Sequence, residues 1–191
     1  VYISDHPLGP FRYADHNPFS LKAGGFACGA GHGNTFEDKY GNLWHIATLS
    51  ISVNHRFERR LALFPSAWDM DGNLYTHTGY GDYPFTLPRE KFGNPEELFR
   101  GWMLLSYGKP AGASSELEVH PVRNAFDEDI RTSWASAGAS AAEWISVDLE
   151  NLFTLRALQL NFTDVEGSMF RGDTGCFYRF LAEYSEDGLA W

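Results

Sequence analysis

The stretches DKYGNLW (residues 38–44) and DMDGNLY (residues 69–75) repeat one pattern, and this pattern decides the fold class. In each stretch a glycine lies three residues after the first aspartate, and leucine and an aromatic residue follow the turn. Glycine tolerates the positive φ of a tight turn, and aspartate caps such a turn through nearby backbone N–H groups. The pattern predicts that residues 30–80 form consecutive antiparallel hairpins spaced like propeller blades, which excludes an α/β design and favours an all-β chain.

Composition and charge narrow the class of protein. The 191 residues are 43% hydrophobic, 21% charged and 16% aromatic, which is typical of a globular protein with many short strands. A net charge of −10 argues against nucleic acid as a partner, because phosphates need a basic surface. No apolar run reaches the ~18 residues of a membrane span. Cys28 and Cys176 are far apart in the sequence, and two free thiols are expected rather than a disulfide.

The amino-acid composition changes near residue 106, where we place a domain boundary. Residues 1–105 are rich in aromatic residues and turns, with one helical turn predicted at 95–99. Residues 106–191 are richer in small polar residues and are expected to form a short β-sandwich. Its predicted strands are WISVDL (144–149), LRALQLNF (155–162) and FYRFLAEYS (177–185).

Residues 1–105 resemble the closing part of the five-bladed propeller of glycoside hydrolase family 43. The resemblance is carried, in order, by SDHPLGPFRYADH (4–16), GAGHG (29–33), the first D-x-x-G-x-W hairpin (38–44) and RRLALFPSAWDMDGNL (59–74). It implies inverting hydrolysis of polysaccharides that contain arabinose or xylose. It also implies that the three catalytic carboxyl groups come from earlier blades, upstream of Val1. No Asp or Glu of this chain matches any of the three, and no catalytic residue is assigned here.

The resemblance gives roles to His32 and Arg59. In the family, this histidine faces the propeller channel and helps to hold a cation, directly or through water, beneath the sugar. Neutral imidazole is a metal ligand, and flanking glycines let the chain pass close to the axis. The alternative is a histidine hydrogen-bonded in a turn. Arg59 falls where the family places an arginine that reaches the bound sugar, whereas a surface role fits Arg60 better. His45, His55 and His77 lack such context, and His45 and His77 are expected to face across a sheet or into solvent.

Residues 109–191 resemble a discoidin-type (coagulation factor 5/8 C-terminal) β-sandwich, truncated at its C-terminus. The resemblance is carried by KPAGASSE (109–116), NAFDEDIRTSW (124–134), EWISVDL (143–149) and EYSEDGLAW (183–191). Such modules often follow these hydrolases and bind sugars.

The same resemblance implies a structural calcium at the turn that begins at Asp127. Asp127, Asp129 and Thr132 supply the hard oxygen atoms that Ca²⁺ prefers, and backbone carbonyls complete the shell. Glu128 stands where the family usually has glycine. The alternative is a polar turn capped by aspartate. Trp134 is expected in the core rather than as a sugar platform.

Together these features predict part of a secreted, periplasmic or cell-surface glycosidase, of bacterial type. Its partners would be a plant-type polysaccharide and the upstream propeller blades of the same chain. Its cofactors would be calcium in the sandwich and a cation in the propeller channel. The alternative is a non-catalytic carbohydrate-binding protein in which the propeller remnant is only a scaffold.

Overall fold

A computed structural model of the chain describes residues 1–51, 59–163 and 178–191. These residues divide into two compact units, the first made of residues 1–51 and 59–103 and the second of residues 104–163 and 178–191. The regular structure in the described ranges is β-strand, apart from two 3₁₀ helices, so the all-β prediction is confirmed. Within the same ranges, no helix has the length and apolar character needed to cross a membrane.

The first unit is built on a four-stranded antiparallel sheet in which each strand pairs with the next one in sequence. Two short strands near the N-terminus form a separate pair, and the predicted helical turn is present as a 3₁₀ helix, Pro95–Phe99. The paired strands are β1 (Tyr2–Ile3) and β2 (Arg12–Tyr13), and the sheet consists of β3 (Cys28–Glu37), β4 (Leu43–Ser50), β5 (Arg59–Trp68) and β6 (Leu74–Thr76).

The two repeated turns join β3 to β4 and β5 to β6, as predicted. Gly41 and Gly72 have φ values of 83° and 76°, a region that favours glycine. In the first turn, Asp38 Oδ1 accepts hydrogen bonds from the backbone N–H groups of Tyr40 (2.8 Å) and Asn42 (3.0 Å). In the second turn, Asp69 Oδ1 accepts the two equivalent bonds, from the backbone N–H groups two and four residues later. Sequence similarity between the stretches therefore reflects an identical hydrogen-bond pattern.

The first turn does more than the second, because it also holds a distant loop. Asn42 is 2% exposed, and its side chain donates to the Glu90 carbonyl (3.0 Å) and accepts from the Phe92 N–H (2.9 Å). Trp44 Nε1 donates to Asp38 Oδ2 (2.9 Å). Desolvation opposes ionisation of Asp38, but the bonds from Trp44, Asn42 and Tyr40 outweigh it and lower its pKa to about 2.

Both faces of the sheet are covered at its centre. Strand β4 alternates, so that His45, Ala47 and Leu49 lie on one face. There Ala47 and Leu49 pack in a buried cluster with Phe64 of β5. On the other face, the buried Trp44 ring stacks on Phe85 at 5.7 Å. Consecutive residues of β4 are therefore buried in two different layers.

A buried ion pair ties the N-terminal segment to the chain that follows β6. Lys22 Nζ lies 3.1 Å from Asp82 Oδ2, and the two side chains are 8% and 6% exposed. The Thr78 hydroxyl adds a hydrogen bond of 2.6 Å to the Leu21 carbonyl. Removing one partner of such a pair leaves an uncompensated buried charge, so the pair fixes how these segments meet.

Residues 104–163 and 178–191 of the second unit contain less regular structure than predicted. Its strands β7 (Ala111–Ala113) and β8 (Ile145–Val147) form a two-stranded antiparallel sheet, and β8 lies inside the predicted strand 144–149. A 3₁₀ helix spans Val122–Ala125. The complete β-sandwich stays a prediction.

Two predicted strands of the second unit are wrong for the residues that the structure describes. Residues 155–162 and 178–185 do not form strands, and Leu158 and Leu181 are 67% and 80% exposed. Alternating apolar residues suit a strand, but a strand also requires a neighbouring strand to pair its backbone groups. These segments do contact each other: Phe162 stacks on Tyr178 at 4.6 Å, and the Tyr178 hydroxyl donates to the Thr163 carbonyl at 3.4 Å.

The unequal roles of the two turns give a direct test. We expect Asn42→Ala to lower the free energy of unfolding by about 2–3 kcal/mol, because it removes a buried amide and both part-buried hydrogen bonds that hold the 90–92 loop. Asn73→Ala, the matched change in the second turn, removes a side-chain bond to Asp69 and should cost about 1 kcal/mol or less. Urea titration followed by tryptophan fluorescence measures both. Equal losses would contradict the assigned role of Asn42.

Candidate functional site

His32 lies on β3 at a place where the strand departs twice from regular pairing. Gly29 pairs with Leu49, Gly31 with Thr48 and Asn34 with Ile46, with a register shift in each interval. His32 and Gly33 therefore both lie opposite Ala47 of β4. His32 has a φ of 55° and an exposed side chain. Bulges of this kind re-aim a side chain and are frequent beside functional sites.

The two glycines that flank His32 have different reasons for being glycine. A Cβ atom on Gly33 would lie 2.6 Å from His45 Cε1 and would also collide with the Ile46 carbonyl. A Cβ atom on Gly31 would meet nothing within 4 Å. The close approach that the sequence suggested is therefore between the bulge and the ring beneath it, at Gly33 alone.

His45 is the residue that supports the bulge, and sequence reasoning gave it no role. It is 5% exposed, its Nδ1 lies 3.0 Å from Thr35 Oγ1 on β3, and the Phe19 ring meets it edge-on. Of the two predicted settings, facing across the sheet is confirmed. Desolvation lowers the pKa of His45, which favours the neutral ring at neutral pH. Its place in the alternation of β4 was the available signal.

Arg59 and Arg60 begin β5 and point to opposite faces of the sheet. Arg59 pairs with Ser50 and Arg60 with Leu49, so Arg60 shares the face of the buried cluster. Both side chains are exposed. Ala47, which lies opposite the bulge, precedes Ser50, the pairing partner of Arg59, by three residues of β4, a separation of about 10 Å along the strand. His32 and Arg59 therefore belong to one sheet, but β4 lies between their strands and they are offset along the strand direction.

The turn at Asp127 is closed by its own side chains. Asp127 accepts from the Asp129 N–H (2.9 Å) and from the Thr132 hydroxyl (2.7 Å). Asp129 accepts two bonds from the Arg131 guanidinium, at 2.8 and 2.9 Å, and these bonds lower its pKa. Glu128 has a φ of 57°, so it takes the left-handed conformation that the family's glycine would favour.

This arrangement brings together the three residues predicted to bind calcium. Asp127 and Asp129 are half-buried and share Thr132, whose hydroxyl also donates to the Asp129 carbonyl at 2.9 Å. The described residues contain no cluster of three or more His, Cys, Asp or Glu side chains that could hold a metal. A cation at this turn would therefore rely on hydroxyl and carbonyl oxygens as well as the two carboxylates, and it would compete with Arg131.

The remaining predicted residues are placed as follows. Trp134 is half-buried, and its Nε1 donates to the Ser115 carbonyl at 3.1 Å. Cys28 is a free thiol on β3. His77 is half-buried against Tyr80 and Phe99 rather than facing solvent. Cys176 and His55 lie outside the described residues.

The contrast between the flanking glycines is testable. We expect Gly33→Ala to lower the free energy of unfolding by about 1–3 kcal/mol, because the His45 ring or the Ile46 carbonyl must move. Gly31→Ala, with open space at the same strand edge, should stay within about 0.5 kcal/mol of the parent chain. Thermal unfolding measures both, and the NMR signal of His45 should shift in the first variant only. A Gly31→Ala change as costly as Gly33→Ala would contradict this account of the bulge.

Comparisons with family models, with curated proteins and with solved structures find no match for the chain. The fold class and the site geometry thus stand on the chain's own residues and contacts. The resemblance to a family 43 propeller and to a discoidin-type sandwich stays a prediction, carried by the motifs from which it was made.

Proposed function

We propose that this chain is part of a polysaccharide-degrading glycoside hydrolase that acts on arabinose- or xylose-type linkages. In this proposal the first unit is the closing part of a family 43-like propeller, and the second is a carbohydrate-binding module of discoidin type. The catalytic carboxyl groups belong to propeller blades upstream of this chain. A secreted, periplasmic or cell-surface location follows from the polymeric substrate.

One observation supports the proposal most. The β3–β6 sheet is an antiparallel meander of four strands, the unit from which propeller blades are built. Its first strand carries His32 at a bulge whose shape depends on a glycine. In a propeller the first strand of each blade lines the central channel, so this arrangement suits a ring that serves a channel site.

The carboxyl groups of the described residues support the proposal that the acids lie elsewhere. Inverting hydrolysis needs a general acid with a raised pKa, at ~6.5–9.5 Å from a base carboxylate. Asp38, Asp69, Asp129, Glu143 and Asp187 have clearly shifted pKa values, and all five are lowered, chiefly by hydrogen bonds. A lowered pKa keeps a carboxyl group deprotonated at neutral pH, whereas an acid catalyst must carry a proton.

The proposed roles of His32 and Arg59 follow from their chemistry. The His32 imidazole, when neutral, can accept a bond from an ordered water or ligate a cation beneath the sugar. Such a cation would tune the charge felt by the catalytic carboxyl groups. The Arg59 guanidinium presents a planar fork of N–H donors that suits neighbouring sugar hydroxyls. His32 is thus assigned to turnover and Arg59 to substrate binding.

A kinetic comparison in the chain joined to its upstream blades tests these roles. We expect His32→Ala to lower kcat about 10–100-fold, the range seen when support for a metal site is removed. Arg59→Ala should chiefly raise KM, by about tenfold, because it removes binding shared by substrate and transition state. Arg60→Ala is the matched control and should change neither.

The same assays separate the two candidate functions. Chromogenic arabinoside and xyloside substrates report activity, and the 191-residue chain alone should hydrolyse neither. Hydrolysis by that chain would contradict the assignment of the acids to upstream blades. A joined protein that binds the polysaccharide and hydrolyses nothing would instead favour the non-catalytic carbohydrate-binding protein.

Calcium at the Asp127 turn is the proposed cofactor site. We expect millimolar Ca²⁺ to raise the thermal midpoint, because a ligand that binds only the folded form stabilises it. Asp129→Ala should abolish the rise. Arg131→Gln, which releases the Asp129 carboxylate, should enlarge it. Scans with calcium and with a chelator measure all three chains, and an unchanged midpoint in the parent chain would count against the site.

A further inference from the structure

A small cleft in the first unit lies outside the sites considered so far. Its volume is about 230 Å³, and its wall includes the rings of Tyr80, Tyr83 and Trp102. Asn94, Glu96, Glu97 and Arg100 bring polar groups to the same wall. The wall therefore combines aromatic rings with several hydrogen-bonding groups, a combination that suits a small polar ligand.

The rings of the cleft are held in fixed orientations. Tyr80 meets Tyr83 edge-on, with ring centroids 5.4 Å apart and an angle of 84° between the planes. Behind Tyr80 lies Phe99, at 5.3 Å and 7% exposed. His77 also lies against the Tyr80 ring, at 5.4 Å, and Tyr80 is 43% exposed, so neighbouring rings hold it in place while part of the residue stays open to solvent. A ring held in this way can bind a flat apolar face without first losing side-chain freedom.

The polar groups come from the 3₁₀ helix that begins at Pro95. Asn94 caps this helix, because its Oδ1 accepts from the Glu96 N–H at 3.0 Å. This bond directs the amide and leaves Asn94 Nδ2 as a donor. Arg100 Nη2 lies 3.8 Å from Glu97 Oε1, and the Arg100 side chain is 79% exposed. The cleft therefore offers a carboxylate acceptor at Glu96 and N–H donors at Asn94 and Arg100.

We propose that this cleft binds a neutral saccharide unit. The C–H face of a sugar ring packs on an aromatic ring, and its hydroxyls both donate and accept hydrogen bonds. The small volume suits one sugar unit better than a drug-sized ligand. An organic cation is the competing ligand, since it also binds aromatic rings beside carboxylates. The N–H donors at Asn94 and Arg100 favour the saccharide, because sugar hydroxyls use donors and acceptors, whereas a cation uses acceptors alone.

This site is independent of the proposed glycosidase. It uses residues 80–102, whereas the proposed roles of His32 and Arg59 concern β3 and β5. A protein without hydrolytic activity can still bind a sugar in this cleft, and an active enzyme can lack such binding. The two proposals can therefore fail separately.

The test is a binding titration of the whole 191-residue chain with xylotriose, arabinotriose and galactobiose, followed by tryptophan fluorescence and saturation-transfer NMR. We expect saturable binding of at least one sugar, with little dependence on salt because the ligand is uncharged. Tyr80→Ala should weaken this binding about tenfold. Tyr75→Ala is the matched control, a tyrosine of similar exposure (47%) on β6, and should leave it unchanged.

Arg100→Ala keeps the test decisive if Tyr80→Ala fails to fold, because the Arg100 side chain lies at the surface. For a saccharide site, this variant should weaken sugar binding about three- to fivefold. Tetramethylammonium is the probe for the competing ligand. Tetramethylammonium binding that is stronger in Arg100→Ala and weaker in high salt, without sugar binding, overturns the proposal. Absence of binding by all three sugars, or equal sugar affinity in the parent chain and in both variants, overturns it as well.

Discussion

The first unit depends on the carboxylate of Asp38, which gathers four N–H donors at one end of the sheet. Two come from the backbone of Tyr40 and Asn42, and two from the side chains of Asn42 and Trp44. The bonds set the turn, direct the indole and orient the Asn42 amide. That amide holds the 90–92 loop, and the indole receives Phe85 and Phe92. One ionised group thus links a local turn to the aromatic rings that cover Trp44 on one face of the sheet.

The hairpins of the first unit were predictable because their causes are local. Aspartate, glycine and asparagine at fixed positions determine a turn by themselves, and the strands on either side follow from alternation. The 3₁₀ helix at Pro95 follows in the same way from an asparagine cap and a proline at its start. Each of these features depends on residues within a few positions of one another.

Features that depend on distant residues were not predictable. The sequence around Gly33 does not show that His45 of the next strand lies against it, because that contact depends on the register of β3 against β4. The same holds for the clustering of Tyr80 with Phe99, which joins the segment after β6 to a 3₁₀ helix. The predicted strands at 155–162 and 178–185 failed for a related reason. Alternation describes one segment, whereas a strand exists only with a partner.

The same distinction between local and distant contacts applies to the candidate sites. The turn at Asp127 is a local cluster, so its members were named from the oxygen donors within six residues and from the resemblance, and the structure links Asp127, Asp129 and Thr132 by hydrogen bonds. The competing contact from Arg131 was not foreseen, although it lies two residues away, because spacing does not show which way a guanidinium turns. His32 and Arg59 were selected through resemblance, and their spacing across the sheet came only from strand pairing.

The two irregularities of β3 have a consequence for association between molecules. β3 is an edge strand of its sheet, and within the described part of the chain Lys22 bridges to its free side at Gly29 and the Ser20 hydroxyl donates to the Ala30 carbonyl. A strand of ten residues with an open edge is a template for pairing with another copy of itself. The bulges interrupt the row of evenly spaced N–H and C=O groups and add local twist, so a flat foreign strand cannot run along it. The same backbone distortion that presents His32 therefore also protects the sheet against edge-to-edge aggregation.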